Sequence, residues 1–132
     1  MTKSKKSSSP TRSRDKVLQT LYELEMGGED IKEVLKNHES EKSNVFYNDL
    51  LQGVVMNLEA IDTNIQKRID RPINQLDVIE KNALRIALYE LKNKDLEPAI
   101  IINESIRMTK KYGSTEGYKF INAILDKLIK EN

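Results

Sequence analysis

The sequence predicts an all-α protein, a compact bundle of amphipathic helices. Apolar residues recur at spacings of three and four through most of the chain, which is the period of a helix that buries one face. Proline and glycine separate these periodic segments at Gly27–Gly28, Pro72, Pro98 and Gly113. With 132 residues the chain is long enough for one domain with a single core, and only helix-on-helix packing can cover five or six such faces.

Three helices are predicted in the first half of the chain. The first begins near Ser13 and ends at Gly27–Gly28, because glycine suits a helix C-cap. A short second helix starts at Ile31 and fades in the polar stretch 38–43. The third is predicted to be the longest, because its apolar residues recur without interruption from Ser43 or Asn44 to position 65.

The second half of the chain predicts a central helix and one that follows it. Asp77 and Glu80 have the spacing of a capping box, so a buried helix should follow them to Leu91. Pro98 opens the next helix and Gly113 ends it, because proline suits the first turn of a helix and glycine its end.

Charge is divided unevenly along the chain although the net charge is only +1. Residues 1–14 include five basic residues and no acidic ones, and residues 107–132 include six basic and three acidic residues. The middle segment, 15–106, has 18 acidic residues and 11 basic ones. Two basic ends around an acidic centre indicate two partners, one polyanionic and one basic. The alternative is a solubilising tail on a surface of mixed charge.

The chain is predicted to consist of a flexible basic arm, residues 1–13, and a helical domain, residues 14–132. The first dozen residues lack apolar side chains beyond Met1 and cannot join a core. No apolar run is long enough for a membrane span, and the first thirty residues lack the apolar core of a signal peptide. We therefore expect a cytoplasmic protein without a membrane partner.

The sequence lacks most of the residues and motifs on which enzymes commonly depend. The chain has no cysteine and one histidine, His38, which lies in a polar stretch and is expected to be a solvated loop residue. The segment 113–119 superficially suggests a phosphate loop, but its spacing is one residue short and its lysine does not directly follow a glycine. No dinucleotide fingerprint or nucleophile elbow occurs. We expect no enzymatic activity, no metal and no cofactor.

Nucleic-acid binding is the function class that these exclusions leave, and RNA is the favoured partner. A cationic arm neutralises phosphates, whereas readout of single-stranded RNA needs stacking aromatic rings and side chains that bond to base edges. The last predicted helix, capped by Ser114 or Thr115, places Lys119, Phe120 and Asn122 within one turn. Phe120 lies at the margin of the apolar face, so a packing role is the alternative for it.

Six segments spanning residues 14–128 form a combined pattern that is far more specific than any one of them. In chain order they are RDKVLQTLY, FYNDLLQGV, IEKNALRIALYEL, INESI, KKYG and KFINAILD. Together these segments resemble the NusB family of bacterial transcription antitermination factors. The resemblance implies a bundle of about six to seven helices in two small subdomains.

The same resemblance implies partners and site residues. It implies binding of the boxA sequence in leader transcripts of ribosomal RNA together with NusE, a small-subunit ribosomal protein, on the elongating RNA polymerase. Glu80 matches an acidic residue that faces NusE, and the acidic middle of the chain would attract such a basic partner. The residues that match positions near the family's RNA surface are Arg12, Arg14, Gln19, Tyr22, Lys119, Phe120 and Asn122.

Two departures from the family pattern bear on RNA affinity. Ala123 stands where glycine is common, and Pro10 and Thr11 replace contiguous arginines of the arm. We therefore expect weaker intrinsic RNA binding and a greater dependence on NusE. Two other interpretations are a helical adaptor or homodimer without significant RNA binding, and the detached helical domain of an RNA-modifying enzyme. The second is not expected, because no catalytic domain follows before Asn132.

Overall fold

In a computed structural model, which describes residues 9–28 and 30–131, the chain forms seven α-helices and no strand within those ranges. The prediction of an all-α fold is confirmed. Two short 3-10 turns, Glu39–Glu41 and Ile73–Gln75, complete the described structure. The helices are α1 (Pro10–Met26), α2 (Ile31–Asn37), α3 (Val45–Met56), α4 (Leu58–Gln66), α5 (Val78–Asn93), α6 (Pro98–Tyr112) and α7 (Gly117–Glu131). None of these described helices is long and apolar enough to cross a membrane.

Helix α1 begins at Pro10, three residues earlier than the sequence predicts. The Oγ of Ser9 accepts a hydrogen bond from the Arg12 N–H at 3.3 Å, and proline at the first position has no N–H that needs a partner. Residues 10–13, predicted as part of the arm, therefore belong to the helix. The remainder of the predicted arm, residues 1–8, lies outside the described residues.

The predicted third helix is two helices, α3 and α4, separated at Asn57. The Asn57 N–H and its side-chain Nδ2 both donate to the Gly53 carbonyl, at 3.2 and 2.7 Å. Asparagine side chains compete in this way for backbone partners, and the backbone of Asn57 leaves helical geometry at φ −111° and ψ 18°. The apolar spacing continues across the bend, so the sequence pattern did not indicate it. The longest described helix is α1, with 17 residues.

Helix α5 is the centre of the bundle, as predicted, and packs against α1, α3, α4, α6 and α7. Its N-terminal cap is also confirmed, because Asp77 Oδ1 accepts from the Glu80 N–H at 3.0 Å. Gly53 of α3 allows a close approach to α5, since a Cβ at that position would lie 2.1 Å from the Cζ of Tyr89. One continuous apolar core includes side chains from α1 and from α3 through α7.

The histidine prediction is wrong, because His38 is buried and not solvated. The 3-10 turn after α2 folds the chain back so that the imidazole stacks on Tyr47, with ring centres 6.3 Å apart. The His38 Nε2 lies 3.2 Å from Glu23 Oε1 of α1. His38 thereby joins the second helix to the first, a tertiary role that its polar sequence neighbours did not indicate.

Ion pairs fix the C-terminal half of α1 and the helix α4 against α5. Arg85 Nε and Nη2 donate to the two carboxylate oxygens of Asp62 at 2.9 and 2.8 Å. Glu25 of α1 accepts from Lys81 and from Arg85. Burial alone would raise the pKa of Glu25, but the hydrogen bonds of Lys81 and Asn82 and the charges of Lys81 and Arg85 together lower that pKa. Lys81 and Arg85 of α5 are therefore committed to holding neighbouring helices.

Candidate nucleic-acid interface

The predicted RNA-binding residues lie on α1 and α7, and the C-terminal end of α6 connects these two groups. The Gln19 Nε2 of α1 donates to the hydroxyl of Tyr112 on α6 at 3.3 Å. On the α7 side, the Lys110 Nζ of α6 lies 4.5 Å from the centre of the Tyr118 ring. A short turn at Gly113 then leads directly from α6 into α7. The two groups therefore border the same end of one helix.

Arg12 is the basic side chain of the first turn of α1 that reaches solvent. Its side chain is 47% exposed, and its Nη1 lies 3.5 Å from Glu41 Oε2. The ion pair is long, and the buried Glu41 also accepts a hydrogen bond from Asn44 at 2.9 Å, so the exposed guanidinium can exchange Glu41 for a phosphate oxygen. This placement fits the predicted phosphate contact, which remains a prediction.

Gln19 and Tyr22 line an open groove between α1, the start of α5 and the end of α6. The groove has a volume of about 510 Å³, and Leu18, Ile79 and Tyr112 contribute to its walls. Tyr22 is exposed, whereas Gln19 is half-buried because Tyr112 lies against it. The groove combines apolar walls, two phenol rings and one amide, which suit a flat aromatic base, with the carboxylates of Glu23 and Asp77, which would repel a phosphate.

Lys119 and Asn122 are exposed on the first turns of α7. The Lys119 Nζ forms an ion pair with Glu116 Oε1 at 2.7 Å, which neutralises part of its charge. Helix α7 begins at Gly117, later than the predicted cap at Ser114 or Thr115, and a turn over 115–116 precedes it. Both side chains nevertheless point outward, as a contact with RNA would require.

Phe120 is half-buried and packs against the core. The guanidinium carbon of Arg71 lies over its ring, 5.1 Å from the ring centre. Arg71 belongs to the loop before α5, and the sequence pattern marked it only as part of a helix-ending segment. Because the guanidinium covers the ring, a base would stack on the outer side of Arg71 or replace it over Phe120, so Arg71 adds to the predicted set.

Arg14 differs from the other predicted RNA-binding residues because its side chain is buried. Its Nε and Nη2 donate to both oxygens of Glu90 at 2.8 Å each, and its Nη1 donates to Glu104 at 3.0 Å. Burial alone would lower the pKa of Arg14, but the hydrogen bonds and charge of Glu90, followed by Glu104, raise it. The guanidinium is therefore fully committed inside the protein, and its geometry opposes a direct phosphate contact.

Glu80 is also buried, beneath the start of α7. The Ser114 hydroxyl lies 3.4 Å from its Oε2, and a Cβ on Gly117 would lie only 2.3 Å from the same oxygen. Glycine at position 117 therefore makes room for the carboxylate. The predicted contact between Glu80 and NusE stays a prediction, and this structure gives the side chain an internal position.

Glu80→Gln should raise the melting temperature at pH 7. Burial, followed by the charge of Asp77, raises the pKa of Glu80 against the opposing hydrogen bond from Ser114 and charge of Arg71. A carboxyl group with a raised folded-state pKa destabilises the fold while it is ionised, and the lost stability returns as pH falls through that pKa. The difference in melting temperature between Glu80→Gln and the parent protein should therefore shrink as the pH falls towards about 4.

Thermal unfolding followed by circular dichroism from neutral to acid pH measures this effect. Exposed Glu39→Gln is the matched control and should show no comparable stabilisation. A Glu80 variant that melts below the parent at every pH would show that the ionised carboxylate stabilises the fold.

Sequence reasoning missed three aromatic or basic residues of this surface: Arg71, Tyr112 and Tyr118. Tyr112 lies within the KKYG segment and Tyr118 directly precedes KFINAILD, but only the tertiary structure shows that Tyr112 contacts Gln19 and that Tyr118 contacts Lys110. Within the described ranges, no group of three or more histidine or carboxylate side chains is arranged to hold a metal ion.

Comparison with known proteins gives consistent relatives over nearly the whole chain. A NusB family model matches residues 11–130. The transcription antitermination protein NusB of Pseudomonas syringae pv. tomato is 37% identical over 129 residues, covering 93% of this chain and 78% of the relative. The NusB protein of Shewanella amazonensis is 32% identical over 133 residues, covering 96% and 99%.

Solved structures agree with this comparison. NusB of T. maritima superposes with a TM-score of 0.85 at 32% identity, covering 95% of this chain and 93% of that one. A chain in the crystal structure of antitermination factors NusB and NusE in complex with dsRNA gives a TM-score of 0.78 at 28% identity, covering 92% and 96%. Because the family model, the relatives and the fold all agree along almost the full length, the chain belongs to the NusB family.

Proposed function

We propose that this protein is a transcription antitermination factor that binds boxA-type RNA of ribosomal leader transcripts together with NusE. The protein-RNA assembly then joins the elongating RNA polymerase. Relatives that share about a third of its residues are named antitermination proteins, and a similar chain occurs in a complex of NusB, NusE and dsRNA. No catalytic step is part of this function, and it requires no cofactor. An activity on nascent transcripts places the protein in the cytoplasm.

The surface around the end of α6 is the observation that carries this proposal. Exposed Arg12 and Tyr22 lie on α1 and exposed Lys119 and Asn122 lie on α7, and side chains of both helices contact the C-terminal half of α6. Cations of this kind attract phosphates without regard to sequence, whereas aromatic rings and amides contact bases. The arrangement therefore provides affinity and some sequence preference on one face.

NusE has a clear role in this mechanism, because the cations of the surface are partly neutralised. Lys119 pairs with Glu116, and Arg12 lies beside Glu41. A bound basic partner would add its own phosphate contacts, so that two modest affinities combine in one tethered assembly. The excess of acidic residues over 15–106 would attract such a partner and orient it.

Titration of a labelled boxA oligonucleotide by fluorescence anisotropy tests the proposal. We expect weak binding by the protein alone, tighter binding when NusE is present, and a loss of affinity as salt increases. A scrambled oligonucleotide of the same length is the control and should bind more weakly to the pair. Equal affinity for boxA and the scrambled RNA with NusE present would overturn the assignment. Terminator read-through in a purified transcription assay then tests the polymerase step.

A helical adaptor or homodimer without significant RNA binding is the second candidate. The observation that favours it is the same neutralisation, since Glu116 and Glu41 reduce the positive potential of the face. This candidate predicts no RNA binding even at low salt, and a dimer in sedimentation equilibrium. The titration without NusE, carried out at low salt, separates the two functions.

A further inference from the structure

Two basic side chains of α6 lie at its seam with α1 and belong to no predicted site. Arg107 and Lys111 are four residues apart and therefore occupy the same face of the helix. The Arg107 Nη1 lies 2.9 Å from Asp15 Oδ1, and the Lys111 Nζ lies 3.0 Å from Asp15 Oδ2. Arg107 Nη2 also donates to the Thr11 carbonyl at 3.3 Å. The pair is therefore anchored beside the first turns of α1.

The charges of this seam are layered, with the positive groups outside and the negative groups beneath them. The side chains of Arg107 and Lys111 are 30% and 56% exposed. The side chains of the carboxylates that hold them, Asp15 and Glu104, are only 10% and 15% exposed. Solvent therefore meets the ammonium and guanidinium groups first. An ammonium group has three donors, so Lys111 can bind a second oxygen while it remains bonded to Asp15.

Both cations keep their charge and position in this arrangement. The hydrogen bond to Asp15 raises the pKa of Lys111. Burial would lower the pKa of Arg107, but its hydrogen bonds to Glu104 and Asp15 raise it. Side chains that are already held in place lose less conformational freedom when a ligand binds. The acidic residues thus act as supports beneath the two cations.

The seam also lies between the two halves of the proposed RNA surface. Helix α1 packs on α3 and α5, whereas α7 packs on α5 and α6. Polar contacts to Tyr112 and Lys111 join α1 to α6, and Lys110 joins α6 to the Tyr118 ring of α7. A strand that touches both Arg12 and Lys119 can therefore run over the C-terminal half of α6.

We propose that Arg107 and Lys111 form a binding site for the phosphate backbone of the RNA, with Asp15 as the residue that positions both. This inference rests on the proposed function, and it adds a third contact region to it. The site takes phosphate oxygens of a single-stranded segment and carries no base preference. It joins the contacts of α1 to those of α7 into one continuous track.

The salt dependence of RNA affinity tests the site, because its slope counts phosphate contacts and does not depend on fold stability. For single strands log affinity falls with log salt, and each lost contact makes this slope shallower by about 0.7. A lower slope here means a shallower one. We expect Arg107→Gln and Lys111→Gln each to lower the slope by about that amount. Asp15 retains one cationic partner in each variant, so both should remain folded.

Two further variants separate charge at this site from charge elsewhere. Lys111→Arg keeps the charge and should restore the slope of the parent protein. Lys92→Gln removes one positive charge from an exposed position at the C-terminal end of α5, outside the site. It should leave the slope unchanged.

The outcomes distinguish this inference from the proposed function. If Arg12→Ala lowers the slope while Arg107→Gln and Lys111→Gln do not, the site on α6 is refuted and RNA binding stands. If the parent protein with NusE does not discriminate boxA from scrambled RNA, the proposed function fails first. If Lys92→Gln lowers the slope as much as Lys111→Gln, the effect is one of net charge and the site is likewise refuted.

Discussion

Arg14→Met should lower the free energy of unfolding by about 3–5 kcal/mol, the largest effect we expect from a single substitution in this protein. The change leaves the carboxylate of Glu90, which is 1% exposed, without its bidentate partner. It also removes the guanidinium that lies over the Phe46 ring, 5.2 Å from its centre. Urea unfolding followed by circular dichroism measures the loss.

A double variant and an exposed neighbour provide the controls for this prediction. Arg14→Met combined with Glu90→Met removes the charge from both partners and should recover most of the lost stability. Glu104 remains paired with Arg107 in that variant. Arg12→Met should cost clearly less than Arg14→Met, because its ion pair is long and single and the buried Glu41 keeps its hydrogen bond from Asn44. A small stability loss in Arg14→Met, together with a lower salt slope for RNA, would instead make Arg14 a phosphate contact.

Phe120→Leu should weaken boxA binding by about 1–3 kcal/mol in the presence of NusE, the range that a lost base stack is worth. Leucine keeps an apolar side chain against the core but removes the aromatic face on which a base would stack. The prediction depends on the position of Phe120, which is half-buried with the guanidinium of Arg71 over its ring. Anisotropy titration with boxA measures the change.

Phe120→Ala separates stacking from packing. It should weaken boxA binding as much as the leucine variant does, and it should additionally lower stability because it removes more of the packed side chain. Asn122→Ala, two residues along the same exposed turn, should affect affinity and leave stability near that of the parent. A leucine variant that binds boxA with parental affinity would assign Phe120 to the core alone.

Most of the fold could be predicted from the sequence, because helical periodicity and end signals are local properties. The N-cap at Asp77, the helix that opens at Pro98 and the end of α1 at Gly27 all depend on residues within one turn of each other. The break at Asn57 was not predicted, because the apolar spacing runs unchanged through it. The burial of His38 was missed for a related reason, since its partner Glu23 lies on another helix.

The candidate site was predictable in part. Sequence reasoning selected basic and aromatic residue types at both ends of the chain, and the structure brings the two groups to one end of α6. Sequence reasoning could not show that Arg14 faces inward. An arginine on a helix has the same local sequence pattern whether it pairs with Glu90 or with a phosphate. The distance of 76 residues between Arg14 and Glu90 along the chain places that choice beyond any local pattern.

The sequence by itself determined the helices, their buried stripes and the segregation of charge along the chain, since each of these follows from residue type and spacing. Only the tertiary structure decided which cations face solvent and which are paired internally. The reason is physical: a charge is available to a ligand only if its side chain reaches solvent, whatever carboxylate lies beneath it. Arg14 and Lys111 are both basic, yet Arg14 is buried in its ion pair with Glu90. Lys111 lies on the solvent side of Asp15 and remains exposed.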